Sequence, residues 1–309
     1  MSPVPLRLGT RGSALALAQS GSVAEALRAR GREVTLVEVQ TAGDLSGAAI
    51  ASIGGTGVFV TALRDALLSG AVDLAVHSYK DLPTAPAEGL VVAAIPRRED
   101  PRDVLVARDS RTIGELPSGA RIGTGSPRRT AQLLGLGLGL EVVPVRGNVD
   151  TRISKVRSGE LDAVVLARAG LARLGRLEEA SEVIDPLTML PAPAQGALAL
   201  ECRADDVDLV ALLLALDDET SRTTVTAERA LLRALEGGCT APVGALAEVA
   251  EGDDGPEIYL RGVVAALDGT DAVRLSATGP TSDAVGVGTR LAAELLDLGA
   301  ADLMGVTRV

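Results

Sequence analysis

The segment DLAVHSYKDLPT, from Asp73 to Thr84, is the most specific in the chain for chemistry: an apolar run ends in a polar cluster of Ser78, Lys80 and Asp81. In open α/β sheets the carboxyl ends of strands line the ligand crevice, so an ammonium and a carboxylate placed there are candidates for anion binding and proton transfer. A charged pair after a strand is, by itself, most often a solvated loop. Lys80 argues against that here, because Lys155 is the only other lysine among thirty basic residues. Where arginine is used almost everywhere else, a retained lysine points to a need for a compact charge.

Six arginines occupy similar positions: Arg11 after the first strand, Arg128 and Arg129 at a helix start, Arg146 and Arg152 around Gly147-Asn148, and Arg173 after another strand. Two turns carry the same device. LGTRGS from Leu8 and IGTGS from Ile122 each close a strand with Gly-Thr and open a helix at a serine, Ser13 or Ser126. Helix N-termini present unpaired N–H groups and about half a positive charge, which suits carboxylate or phosphate oxygens. An ordinary serine N-cap accounts for either turn alone. Two such turns beside arginines favour an anion, and the Arg128-Arg129 pair, opposed by the helix dipole, is expected to be offset by a ligand with many carboxylates. The expected ligand is a polyanion bound between two lobes.

Two cysteines are present. Cys239 lies in EGGCTAPV, on a glycine-flanked loop after a helix, where an accessible thiol can act as a nucleophile. Cys202 sits in an apolar strand and is expected to be inert. With His77 as the single histidine, a Cys–His pair is weakly supported and a His-based metal site is not expected.

These residues need elements to position them. Strands are expected at residues 5–10, 33–41 and 73–78 with helices at 13–29 and 58–68, a βαβ layout. The pattern restarts near Arg97, with strands at 104–107, 121–124, 141–145 and 162–166 around helices near 127–135 and 150–158. After the Pro-rich stretch LPAPAQ from Leu190, residues 196–202 read as a strand that returns to the first lobe. Helices near 205–216 and 222–235, strands near 257–266 and 272–278, and a helix near 281–298 form a small α+β tail. The Gly-Leu alternation at 134–140 reads as a loop.

A chain of 309 residues exceeds a single core, which stops growing near roughly 250–300 residues. The expected domains are residues 1–96 with 196–216, 97–195, and 217–309. A net charge of −11 has the wrong sign for binding nucleic acid through phosphates, and two Tyr, one Phe and no Trp leave no base-stacking platform. No apolar stretch is long enough for a spanning helix, and MSPVPLRLGTRGS lacks the pattern of a secretory signal, so a cytoplasmic protein is expected.

Together the motifs resemble the porphobilinogen deaminase (hydroxymethylbilane synthase) family along nearly the whole chain. The resemblance rests on LGTRGSALALAQ from Leu8, AVHSYKDLPT from Ala75, REDPRDVLV from Arg98 and IGTGSPRRTAQL from Ile122. It continues in VRGNVDTRISK from Val145, LPAPAQGALALECR from Leu190 and ERALLRALEGGCTAPVG from Glu228.

The resemblance implies an α/β fold of two periplasmic-binding-protein-like lobes plus a small C-terminal α+β domain. Its cysteine, here Cys239, would hold a dipyrromethane cofactor by a thioether. The implied activity is that of a transferase in tetrapyrrole biosynthesis. It joins four porphobilinogen molecules head to tail, releases ammonia at each addition and frees linear hydroxymethylbilane. Asp81 would be the catalytic group, stabilising the cationic azafulvene left by loss of ammonia. Lys80, Ser126, Arg128 and Arg129 would bind the cofactor, and Arg11, Ser13, Gln19, Arg146, Arg152 and Arg173 the substrate. No metal, nucleic acid or membrane enters this reading, and the family implies a monomer.

The chain departs from the family where a glycine-rich segment usually carries lysine: here it reads Gly54-Gly55-Thr56-Gly57-Val58-Phe59, with Thr61 in place of a second basic residue. Tyr79 replaces a usual Met. A divergent, non-catalytic two-lobe paralogue that binds polycarboxylates or pyrroles is therefore the rival, and Cys239 speaks against it. Acyl transfer by a cysteine nucleophile lacks a base and an orienting partner.

Overall fold

The computed structural model describes residues 4–39, 55–235, 241–252 and 255–304, with side chains in the helix Gly55–Leu68 described from Val60 onward. Cys239 and Gly54 lie outside the described residues, as do the side chains of Thr56 and Phe59. The chain divides into two compact units, Met1–Arg98 with Ala197–Ser221, and Glu99–Gly196 with Arg222–Val309.

The first unit is built on a five-stranded sheet in the order Val34–Glu38, Leu6–Thr10, Leu74–Ser78, Leu198–Arg203, Leu90–Ala94. The first three strands run parallel, and Leu198–Arg203 is antiparallel to both its neighbours. Side chains alternate between faces along a strand. Leu6, Leu8, Leu74, Val76 and Leu200 therefore share one face with Val23, Ala24 and Leu27 of the helix Ala14–Arg28. Ala75 faces the other way, against Leu63 and Leu67 of the helix Gly55–Leu68. Ser13 starts the first helix, its Oγ accepting from Ala16 N at 3.3 Å.

The second unit repeats this plan. Its sheet runs Glu141–Pro144, Arg121–Thr124, Ala163–Ala167, Asp103–Ala107, Glu182–Val183, again with three parallel strands followed by an antiparallel one. The helix Pro127–Leu134 opens at Ser126, whose Oγ accepts from Arg129 N, with Pro127 in the first turn where its missing N–H costs nothing. The same unit carries a three-stranded antiparallel sheet, Val243–Gly252, Gly255–Ala265 and Ala272–Pro280. Leu231 and Leu235 from one chain segment and Val287, Leu291 and Leu295 of the helix Ala284–Asp297 pack on it.

Most expected elements are present within a few residues, and residues 135–140 form no helix or strand. The strand Leu90–Ala94 and the helix Arg168–Arg173 were not expected. Nor was Val243–Gly252, whose sequence VGALAEVAEG is poor in β-branched and aromatic residues; its pairing with Gly255–Ala265 overrides that local preference.

Candidate functional site

In the first unit, the carboxyl ends of the parallel strands deliver the expected residues to one place. Leu6–Thr10 ends beside Arg11, and Leu74–Ser78 runs into the short turn Tyr79–Asp81. Gln19, on the buried face of the first helix, donates from Nε2 to Ser78 Oγ at 3.0 Å, so helix and strand are tied at the site. Arg11, Gln19, Ser78 and Asp81 line one pocket, and Val60, Leu63 and Val76 give it an apolar wall. Ser13 stands two residues beyond Arg11 as the helix cap, and Lys80 lies partly buried in the turn with Asp81.

Such a pocket can take a flat apolar ring that carries N–H donors and carboxylates. A carboxylate acceptor, a guanidinium and an apolar surface then lie within one cradle. The donor set thus fits a pyrrole, and a dipyrromethane is made of pyrroles.

His77 also lines this pocket. It shares a sheet face with Glu201, which stands opposite Ala75 on the antiparallel strand, and His77 Nε2 lies 3.2 Å from Glu201 Oε2. Arg64 completes the group, its Nη2 at 2.8 Å and its Nε at 3.1 Å from the same carboxylate. The His77 imidazole close beside it and hydrogen bonds from Arg64 overcome the cost of burial and hold the Glu201 carboxyl below the usual carboxylate range.

In the second unit, Arg128 and Arg129 are buried on the first turn of their helix. Each sends Nη2 to Asp103, at 2.8 Å, and Nη1 to a backbone oxygen, Leu190 O at 2.5 Å and Val165 O at 2.9 Å. A ligand was expected to offset their charge; within the protein, Asp103, fully buried, is a counter-ion to both. Despite its burial, the two guanidiniums hold Asp103 well below the usual carboxylate range.

Arg152 remains close enough to Arg129 to feel its charge; burial first and that repulsion second lower its affinity for a proton. Its Nε donates to Gly147 O at 2.9 Å. Arg173, also lowered by burial, donates from Nη2 to Gly196 O at 2.6 Å. Arg146 is exposed after the strand Glu141–Pro144.

The structure therefore gathers Arg11, Gln19 and Asp81 in one unit and Arg128, Arg129 and Arg152 in the other. Three residues escaped the sequence reading: Asp103, Gln195 and Glu201. Asp103 and Gln195 stand inside motifs already singled out, REDPRDVLV and LPAPAQGALALECR, but their partners lie far along the chain. Cys202 is buried in its strand, and burial pushes its thiol up to about 11. Among the described residues, no group of three or more His, Cys, Asp or Glu could hold a metal ion, and no helix is long and apolar enough to cross a membrane.

Fold and site define a class first: an α/β protein of two five-stranded mixed sheets and a small three-stranded antiparallel sheet, presenting guanidinium groups and a carboxylate at strand ends. Residues 6–211 match the family model described as porphobilinogen deaminase, dipyromethane cofactor binding domain, and residues 222–297 match porphobilinogen deaminase, C-terminal domain. The chain belongs to the porphobilinogen deaminase family.

Porphobilinogen deaminase 1 of Streptomyces coelicolor is 61% identical over 99% of both chains. Porphobilinogen deaminase of Mycobacterium tuberculosis is 60% identical over 97% of this chain and 98% of that one, and the Nocardia farcinica protein 58% over 97% and 88%. Among solved structures, an ABC transporter periplasmic substrate-binding protein from Coxiella burnetii aligns at a TM-score of 0.42 and 14% identity, over 68% of this chain and 91% of that one.

Proposed function

We propose that this transferase joins four porphobilinogen molecules head to tail on a dipyrromethane held by Cys239 and releases hydroxymethylbilane. One observation carries the reading: a carboxylate, Asp81, shares a pocket with Arg11, Gln19 and Ser78 and an apolar wall. At each addition the aminomethyl C–N bond of porphobilinogen breaks, ammonia leaves, and a new C–C bond forms at a pyrrole carbon that gives up its proton. The final methylene takes up water as the product leaves. When bound, dipyrromethane supplies the first nucleophilic pyrrole carbon and stays behind.

Asp81 accepts the pyrrole N–H and stabilises positive charge as ammonia departs, and its carboxylate can carry the proton lost from carbon. Arg11 and Lys80 meet substrate or cofactor carboxylates in the first unit, with Ser13 and Gln19 as neutral donors. In the second unit Ser126, Arg128 and Arg129 serve the cofactor, and Arg146, Arg152 and Arg173 the growing product. The divisions 1–96 with 196–216, 97–195 and 217–309 would then act as two lobes and an attachment domain. A monomeric cytoplasmic enzyme goes with this reading.

Intact-mass measurement of purified protein, with an Ehrlich-type pyrrole test, is expected to show the polypeptide plus a dipyrromethane, and Cys239→Ser the bare polypeptide. Asp81→Asn is expected to keep the added mass and the parent melting curve while turnover falls at least about 100-fold, the usual scale for a lost acid–base group. Near-parent turnover in Asp81→Asn would refute its role. A bare parent that reconstitution cannot load would refute the cofactor, and cofactor-loaded protein without turnover would favour the non-catalytic paralogue.

A further inference from the structure

Three donors converge on the buried Asp103 carboxylate: Nη2 of Arg128 and of Arg129, each at 2.8 Å, and Nε2 of Gln195 at 2.7 Å. Two guanidiniums sharing one carboxylate leave an excess positive charge, so Asp103 moderates the pair without cancelling it. Because each guanidinium is also bonded through Nη1 to a backbone oxygen, it is pinned at two points and cannot swing to follow a ligand.

Gln195 links this cluster to the Pro-rich segment. Its Nε2 also donates to Pro101 O at 2.7 Å. One residue earlier, Ala194 has a φ of 62°, a strained backbone for a residue with a Cβ, and its N–H donates to Glu228 Oε2 at 2.6 Å. The other Glu228 oxygen accepts from Ala247 N at 2.8 Å, in the strand Val243–Gly252, which follows Cys239 closely in sequence. At the start of the segment, Leu190 O accepts from both Arg128 and Gln132. A continuous chain of bonds thus runs from the C-terminal sheet through residues 190–195 to the two arginines.

We propose that Asp103 is a positioning residue for the reaction: it holds Arg128 and Arg129 in one orientation toward substrate or cofactor carboxylates, with Gln195 as the tether that fixes Asp103. The proposal rests on the function given above. Replacing Asp103 by Asn keeps shape and one acceptor but releases the guanidiniums from their common counter-ion. Both positive charges remain, so affinity for an anionic substrate persists while its placement is lost. Misplacement of reacting groups lowers kcat, whereas lost affinity raises KM.

The test is steady-state turnover of porphobilinogen by cofactor-loaded parent, Asp103→Asn and Gln195→Met, at a temperature where circular dichroism shows each folded. Asp103→Asn is expected to lower kcat at least tenfold with KM within threefold of the parent, and Gln195→Met to lower kcat at least threefold. A folded Asp103→Asn with parent kcat, or one whose loss lies wholly in KM, overturns the proposal. Should Asp103→Asn fail to fold, Gln195→Met decides, and parent-like kcat in it overturns the proposal. An active parent with unchanged variants removes this role alone; a loaded but inactive parent removes the function and the role together.

Discussion

Cys202 shows how its setting alone keeps a thiol out of chemistry. Cys202 lies on the face of the first sheet that packs against Leu209 and Leu213, with its thiol held up near 11 by burial and, secondarily, by Asp206. At pH 8 such a group is about one-thousandth thiolate, and the thiolate is the reactive form. Iodoacetamide at pH 8, followed by peptide mapping, is therefore expected to leave Cys202 unlabelled in the folded chain and to label it fully in urea. Labelling of native Cys202 at the rate of a free thiol would contradict its burial. The arginines make the complementary point. Their placement at helix starts and strand ends was legible in the sequence; that Asp103 already answers Arg128 and Arg129 was not, because the partners stand 25 and 26 positions apart. Local order in a sequence reveals which charges are unusual, whereas tertiary pairing settles what balances them.

At the scale of elements, both sheets place a Gly-Thr strand end, a serine-capped helix and the start of an antiparallel strand side by side. These starts and stops are local signals, so Ser13 and Ser126 could be read as helix caps before any fold was known. The strand Leu90–Ala94 and the Ala-rich Val243–Gly252 are stabilised mainly by neighbours, which no local pattern announces. Gly196 shows how such neighbours constrain a connection. It has a φ of 88°, its oxygen accepts from Arg173 and from Glu99 N, and a Cβ added there would stand 2.3 Å from Glu99 O. Gly137 shares a positive φ of 68° but has open space around the added carbon. Backbone strain of this kind costs about 1–3 kcal/mol, and Gly196→Ala adds a collision with the backbone. Urea denaturation is expected to show Gly196→Ala less stable than Gly137→Ala by at least about 1 kcal/mol. Equal stabilities would mean that the approach of Glu99 to Gly196 is not maintained in solution.

For the whole molecule, buried carboxylates tie stability to pH. Glu201 in the first unit and Asp103 in the second are both held ionised below their ordinary range by neighbouring cationic side chains. A carboxyl that binds its proton less readily when folded adds stability above its unfolded pKa, and that stability drains away as pH falls toward the folded value. For Glu201 the loss begins near its ordinary value of 4.5 and continues below it; for Asp103 it begins near 3.8 and runs lower still. Glu201→Gln isolates the first of these. At pH 7 the variant leaves the half-buried Arg64 without its counter-charge and is expected to be less stable by about 1–3 kcal/mol, the cost of leaving a hydrogen-bonding group without its partner. Between pH 4.5 and pH 3 its stability should then fall less steeply than the parent's, because a glutamine takes up no proton. Since the two units need not unfold together, the transition is best followed by hydrogen exchange at amides of Leu74–Ser78 and Leu198–Arg203, which flank the ion pair. Parallel acid profiles for parent and variant in those strands would show that Glu201 binds its proton equally well folded and unfolded, and would contradict a carboxyl held down by Arg64 and His77.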